Sequence, residues 1–254
     1  MRFRKVSVLT IGVISVILIT GLVNSVLEGS TTLTTEEFIS DSIKSIEIFD
    51  QNSQIEIKPS TTDKIVLQFP QTKNKAYSVN LDQNQNLVLK RKPAGIFGLF
   101  TINFSVKKVT VYLPEKEFEL LAETTNGTVK AEDVNLKNAT LKTTNGAVSM
   151  KNIQAEDLIL KTTNGKVSTN DVISNRLNAK STNGSINLQT TEIVAELIAN
   201  TTNGSINVGL IGSANQYRID CQVTNGKCNV PASSGNKLVN LTTTNGSINV
   251  EFDK

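Results

Sequence analysis

Apolar and polar residues alternate in six short runs within residues 38–116. The runs are rich in Val, Ile and Leu, and Asn, Asp, Gln, Lys and Pro stand between them. Alternation with a period of two predicts strands with one buried face, and the polar interruptions predict turns. We therefore expect a degenerate region of β-strands with the sequences SIEIFD, QIEIKP, KIVLQF, AYSVNL, NLVLKR and KVTVYLP.

One segment of this region, residues 93–104 (PAGIFGLFTINF), is the most apolar stretch after residue 27. It could cap the open end of the sheet, or form a loop that touches a membrane or a partner. Burial as a cap is the commoner fate of such a segment, and we expect it here.

After residue 117 the motif TTNG, or a variant of it, recurs seven times. Its glycines are 19 to 22 residues apart, and mostly apolar columns stand seven and five residues before each glycine and two and four after it. Repetition at this period is typical of a solenoid. Alternation on both sides of a fixed turn predicts two strands per repeat that face a common interior. The glycines are Gly127, Gly146, Gly165, Gly184, Gly204, Gly226 and Gly246.

The turns could close consecutive hairpins or connect the coils of a parallel β-solenoid. Asn-Gly favours a hairpin turn, whereas identical columns at a fixed period favour coils stacked about 4.8 Å apart. We expect the solenoid, with the glycine in a left-handed corner, the preceding threonines in one ladder and the asparagines in another. The ladder asparagines are Asn126, Asn145, Asn164, Asn183, Asn203, Asn225 and Asn245.

The N-terminal pattern differs, because residues 6–27 carry no charge and follow Arg2, Arg4 and Lys5. A helix of this length spans roughly 30 Å, which predicts a transmembrane anchor with the rest of the chain outside the cell. A cleaved signal peptide is the alternative, although its apolar core usually spans about 7–15 residues. The predicted basic segment, anchor, spacer, strand region and repeat region are residues 1–5, 6–27, 28–37, 38–116 and 117–254.

Composition removes most catalytic chemistry. The chain has no His, so histidine cannot serve as a general base, activate a nucleophile or bind a metal ion. Three of its 26 basic residues precede the apolar segment, and the remainder carries equal numbers of basic and acidic residues, which argues against nucleic-acid binding. Adjacent acidic residues such as Glu156 and Asp157 point to opposite faces of a strand. We expect no enzyme activity and no cofactor.

Two polar columns have structural explanations. Six residues after the glycine stand Asp133, Asn152, Asp171 and Thr190, which we interpret as caps on a second corner rather than as a metal site. Eight residues before it, the column Asp157, Arg176, Glu196 and Arg218 alternates in sign, and we expect it to form weak ion pairs between coils.

Three lysines, Lys142, Lys161 and Lys180, stand four residues before consecutive glycines and predict an outward stripe. Like charges in register destabilise a sheet, so the stripe is a candidate contact for an anionic partner. A solvated face of flexible lysines is the alternative.

The two cysteines, Cys221 and Cys228, fall in inward columns on either side of one Asn-Gly turn. In an oxidising compartment they could form a disulfide, or they could fill the core as small apolar residues.

The anchor, the strand region ending in VTVYLP and the TTNG repeats together resemble the bacterial putative-adhesin domain with β-strand repeats. Within that family the chain is similar to the LiaG-like proteins of the cell-envelope stress response. The resemblance covers residues 38–254 and implies an extracytoplasmic β-solenoid with no catalytic residues to carry over.

We therefore expect an all-β protein, a parallel β-solenoid preceded by one transmembrane helix, in the cell membrane with its C-terminal domain extracytoplasmic. It would act as an adhesin or binding module for envelope components such as anionic wall polymer. The alternative is an accessory protein that contacts membrane sensor proteins or associates end to end with its own copies, because the final strand SINVEF has no evident cap.

Overall fold

A computed structural model describes residues 32–71, 76–92 and 107–253 of the chain. The predicted anchor and the apolar segment at 93–104 lie outside these ranges. Among the residues described, no helix is long and apolar enough to cross a membrane.

All seventeen strands of the described residues belong to one mostly parallel sheet, with two short 3₁₀ turns beside it. The first eight strands are β1 (Thr32–Ile39), β2 (Ser45–Phe49), β3 (Gln54–Pro59), β4 (Lys64–Gln71), β5 (Tyr77–Leu81), β6 (Asn86–Arg91), β7 (Lys108–Leu113) and β8 (Phe118–Glu123). The others are β9 (Val129–Lys142), β10 (Val148–Lys161), β11 (Val167–Lys180), β12 (Ile186–Asn203), β13 (Ile206–Ile211), β14 (Tyr217–Asn225), β15 (Cys228–Asn229), β16 (Lys237–Asn245) and β17 (Ile248–Asp253).

The strand region follows the sequence pattern closely. The six alternating runs are β2 to β7, in the order in which they were predicted. The N-terminal boundary was wrong, because residues 32–37 belong to β1 rather than to a spacer. This strand pairs antiparallel with β4, and Phe38 of β1 lies opposite Ile65 and is part of the core.

Consecutive repeats stack in parallel, as expected of a solenoid. Val148 pairs with Val129 on one side and with Val167 on the other, so a residue lies beside its own copy in each neighbouring coil. Hairpins would pair antiparallel, and the repeats do not. The same column is fully buried in six coils, and each aliphatic side chain so buried stabilises the fold by about 1.5–3 kcal/mol. Its members are Val129, Val148, Val167, Ile186, Ile206 and Ile248.

Between the first five corner glycines, each of the four coils contains one long bent strand, β9 to β12, rather than the two predicted. In β9 the alternation slips at Asp133, whose φ of 58° is left-handed, and a second inward pair follows at Val134 and Leu136. The left-handed corner therefore lies six residues after the glycine, in the column that the sequence marked as a second corner. Equivalent positive φ values occur at Asn152, Asp171 and Thr190.

At the C-terminal end, the order of the coils departs from the order of the repeats. β12 pairs with β16 and β13 with β17, while β14 and β15 pair with the outer sides of β16 and β17. The seventh repeat is thus inserted between the fifth and the sixth. The final strand SINVEF, which had no evident cap in the sequence, is covered in part. β15 pairs with Ile248 and Asn249, and the rest of β17 pairs only with β13.

The N-terminal end is built in a similar way. β2 lies between β6 and β8, and β3 lies between β7 and β9. The first strands of the solenoid are therefore inside the stack, and a later excursion of the chain covers them. In the described structure, the edge strands at this end are β1, which pairs only with β4, and β5, which pairs only with β6.

Candidate functional site

The corner that carries the asparagines is an unbroken chain of side-chain amides. Each Nδ2 donates to the Oδ1 of the layer before it, over 2.6–2.8 Å. We name each layer by its asparagine. In spatial order they are Asn52, Asn126, Asn145, Asn164, Asn183, Asn203, Asn245 and Asn225. Asn52 was missed in the sequence because Ser53 follows it instead of glycine, although strands flank it as they flank the other seven.

Close approach between layers requires glycine at the corner in all seven repeats. A Cβ on Gly165 would overlap the backbone carbonyl oxygen of Gly146 in the layer before it. Ser53 escapes this restriction because it occupies the first ladder layer, where its hydroxyl lies 3.0 Å from the Tyr77 hydroxyl instead. The predicted left-handed glycine corner was therefore wrong for five of the seven glycines, whereas Gly226 and Gly246 have positive φ values of 156° and 157°.

The buried threonines before the asparagines hydrogen-bond to the backbone, not to each other as predicted. Thr162 Oγ1 donates to the Gly146 carbonyl oxygen over 2.8 Å, and Thr243 makes the same bond to Gly204. The outermost layer has Val223 at this position and cannot make the bond. The threonine hydroxyl thus binds the same glycine carbonyl oxygen that a Cβ on the next corner glycine would overlap.

A buried polar cluster closes the Asn52 end of the corner. Asp50 Oδ1 accepts hydrogen bonds from the backbone N–H groups of residues 51–53, over 2.7–2.8 Å, and Tyr77 donates its hydroxyl hydrogen to Asp50 Oδ2. Burial and the nearby Asp50 carboxylate raise the pKa of Tyr77. Arg91 Nη1 is 3.8 Å from Asp50 Oδ1, so the buried charge has an opposite charge nearby.

The three predicted stripe lysines lie in one column of adjacent strands. Lys161 pairs in register with Lys142 on one side and with Lys180 on the other. Lys142 Nζ is 2.6 Å from Glu123 Oε1, and Glu123 precedes it in the same column. Among the described residues, Lys161 and Lys180 have no carboxylate within salt-bridge distance. The column therefore carries a net positive charge.

These lysines line an open groove of about 510 Å³, which we call the lysine groove. The carboxylates of Asp50 and Glu123 also line it, as do the threonines two residues before the corner glycines. Its lining threonines at that position are Thr125, Thr144, Thr163 and Thr182. Ammonium groups and hydroxyls along one axis can contact a chain of anionic groups that runs parallel to the rod.

The cysteines form a disulfide, with Cα atoms 6.5 Å apart. Both belong to the outermost Asn225 layer. Cys228 pairs in register with buried Ile248, so it lies in the inward column as predicted, but it is exposed in this outermost layer. Cys221 packs against the edge of the core. The bridge connects the two strands of the layer that lacks the buried threonine bond.

The alternating charge column forms only in part. Arg176 makes two hydrogen bonds to the Asp157 carboxylate, over 2.6 and 2.8 Å. Arg218 does not follow Glu196 as predicted, because the inserted seventh repeat places Leu238 between them. At the left-handed corner, Asn152 donates to Asp133 Oδ1 over 2.9 Å, and the described residues contain no cluster of three metal-ligating side chains.

A second amide ladder was not predicted. Asn229 donates to Asn249 over 2.7 Å, and Asn249 donates to Asn207 over 2.9 Å. The Asn187 amide is 3.0 Å from that of Asn207 and also lies beside the Lys166 ammonium group. The signal was the extended motif NGSIN, in which an asparagine also stands three residues after the glycine.

The fold and corner define a parallel β-solenoid with a polar, charged groove along its length. Residues 43–254 match the model of the Toastrack DUF4097 family, and the chain belongs to that family. No curated protein matches its sequence.

Several solved structures have a similar fold. One from Parabacteroides merdae, described as a "putative adhesin", has a TM-score of 0.51 and 15% identity, covering 87% of this chain and 96% of that one. One from Parabacteroides distasonis with the same description has a TM-score of 0.45 and 11% identity, covering 89% and 98%. A Clostridium sporogenes cell adhesion protein, described with the same qualifier, has a TM-score of 0.44 and 13% identity, covering 88% and 100%.

Proposed function

We propose that the chain is an exported, membrane-anchored binding module of the adhesin type, and that its lysine groove holds an anionic polymer of the cell envelope. The observation that carries the proposal is the register of Lys142, Lys161 and Lys180. Three like charges on adjacent strands oppose sheet pairing, whereas uncharged residues at the same column do not. An anionic ligand would offset this repulsion.

The geometry favours a linear ligand over a compact one. The lysines repeat at the strand spacing of about 4.8 Å, and the groove is open along the rod. Each contact would be weak and screened by salt, with a Debye length of about 8 Å at physiological ionic strength. Affinity would come from simultaneous contacts along a repeating polyanion such as a phosphate-rich wall polymer.

The membrane anchor and the role in the envelope stress response are inferred from the sequence. The charge-free segment at 6–27 and the basic residues before it support a single-pass anchor with the solenoid outside the cell. The resemblance to LiaG-like proteins supports a role in the envelope stress response, and the adhesin descriptions of proteins with a similar fold support a binding function rather than catalysis.

The test is retention of the full chain, in mild detergent, on purified cell-wall sacculi. We expect retention at low salt that falls as salt is added, and that is lost when Lys142, Lys161 and Lys180 are all changed to Gln. A matched variant with Lys130, Lys151 and Lys166 changed to Gln removes the same charge from other columns and should still be retained. Equal retention of the two variants would contradict the proposal. Undiminished retention of the parent protein on sacculi stripped of phosphate polymers would also contradict it.

A further inference from the structure

The NGSIN motifs build a second surface whose chemistry differs from that of the lysine groove. In four consecutive layers, the residues just before, one after and three after the corner glycine lie in outward columns. We call these twelve positions the amide face. They are Asn183, Ser185, Asn187, Asn203, Ser205, Asn207, Asn245, Ser247, Asn249, Asn225, Lys227 and Asn229.

Because the seventh repeat is inserted before the sixth, the three NGSIN layers are contiguous and the NGKCN layer lies outside them. Asn203 contacts Asn245, and Asn245 contacts Asn225, so the three NGSIN repeats and the related NGKCN repeat form one continuous patch. The earlier repeats carry NGTVK, NGAVS and NGKVS, and they do not extend it. Lys227, in the outermost layer, is the one charged residue of the amide face.

This face presents hydrogen-bonding groups that the fold does not consume. An asparagine amide has two N–H donors and two acceptor sites, and a ladder bond uses one of each. Ser205 Oγ accepts a weak bond from the backbone N–H of Ser247, over 3.4 Å. Within the described part of the chain, the hydroxyl hydrogens of these serines have no acceptor. Each layer therefore offers both donors and acceptors to solvent.

We propose that the amide face binds a neutral glycan, with the sugar chain lying along the rod. Hydroxyl groups of a glycan act as both donor and acceptor, as do the amides and serines, and the layer spacing of about 4.8 Å is close to the length of one sugar ring. A protein partner would need an apolar or aromatic anchor, which this face lacks. A polyanion would find a single cation on this face, Lys227.

The surface is rigid before binding, because every asparagine column is fixed by its ladder. A preorganised surface loses little side-chain entropy when it binds, so several weak hydrogen bonds can add up to measurable affinity. A groove of about 470 Å³ borders the second ladder, with Gln189 and Glu251 on its far side. Glu251 disfavours anions at that border. This inference is independent of the proposed function.

The experiment is affinity electrophoresis of the full chain, in mild detergent, through native gels containing an α-mannan, a β-1,3-glucan or a galactan. We expect retardation by at least one glycan, unchanged by added salt. Changing Ser185, Ser205 and Ser247 to Lys should weaken apparent affinity by at least about tenfold. Because this column already carries Lys166 and Lys227, the variant places five lysines in register, and its urea unfolding is compared with that of the parent to verify the fold.

The matched control changes Ala147, Ser149 and Ser168 to Lys, adding equal charge outside the amide face, and should keep full affinity. No retardation by any of the three glycans, or equal weakening in both variants, would overturn the inference. Retardation that salt abolishes would assign binding to charged groups, which would also overturn it. The lysine-to-glutamine variant of the groove should behave as the parent in this assay.

Discussion

Asn225 donates its side-chain amide hydrogen to Asn245 over 2.8 Å, although Asn245 comes 20 residues later in the chain. Asn245 in turn donates to Asn203. The last repeat of the sequence therefore has neighbours on both sides, and the sixth repeat has one. The position of a repeat in the rod, and not its position in the chain, sets how many ladder bonds its asparagine makes.

Ladder position predicts the cost of removing an asparagine. Asn164→Ala loses two ladder bonds and Asn225→Ala loses one, so the first should lower the free energy of unfolding by about 1 kcal/mol more. Asn245→Ala should match Asn164→Ala, since both asparagines are interior. Urea unfolding of the three variants measures this, and a small effect of Asn245→Ala equal to that of Asn225→Ala would contradict the inserted order.

The close approach at the corner predicts a large effect from one methyl group. Gly165→Ala places a Cβ against the Gly146 carbonyl, and the layers must separate to accommodate it. We expect a loss on the order of 3 kcal/mol in urea unfolding. Ser168→Ala, at an outward position with a Cβ already present, is the control and should change stability little. Similar values for the two would show that the corner tolerates the methyl group.

The disulfide predicts local rather than general stabilisation. Changing Cys221 and Cys228 to Ser should destabilise the outermost layer by about 2 kcal/mol, through the closed loop that is lost. Hydrogen exchange should accelerate in β14 and β15 and remain unchanged in β10. Uniform acceleration through the rod would mean that the layers unfold as a single unit. Mass measurement of the unfolded chain, which gains two hydrogens on reduction, checks the bridge itself.

The cluster at the other end of the ladder predicts a cost for removing one hydroxyl. Tyr77→Phe leaves buried Asp50 Oδ2 without its donor, while the backbone N–H groups still bind Oδ1. Loss of a bond to a buried charged group should cost about 1–3 kcal/mol in thermal or urea unfolding. A cost below about 0.5 kcal/mol would indicate that the backbone donors alone hold Asp50.

Much of the fold follows from two periods in the sequence. Alternation located β2 to β7, and the repeat predicted parallel stacking, because each copy offers the same columns to its neighbours. That same equivalence hid the inserted repeat, since the apolar columns fit in either order. The discriminating residue is Thr243, whose hydroxyl bonds to the Gly204 carbonyl, whereas Val223 in the sixth repeat could not replace it. The Thr243 hydroxyl therefore distinguishes the two possible orders of the last repeats, which the hydrophobic pattern does not.

The site was predictable to a similar degree. The lysine column followed from its fixed distance to the glycines and lies in register as expected. The groove beside it was not predicted, because residues from several coils that are far apart in the sequence line it. The second corner at Asp133 was predicted from its polar column. Its left-handed backbone was not, because Asp, Asn and Thr share that column and none of them requires a positive φ.

The ladder also bears on how the rod ages chemically. In an Asn-Gly pair the glycine nitrogen can attack the side-chain amide, which releases ammonia and leaves a cyclic imide that water opens to aspartate or isoaspartate; this makes asparagine a labile residue. The rod displays seven such pairs to solvent. Interior side chains must break two ladder bonds to reach the reactive geometry, but Asn225 must break only one. Deamidation should therefore begin at Asn225. The first negative charge that deamidation creates would then lie in the outermost layer of the rod.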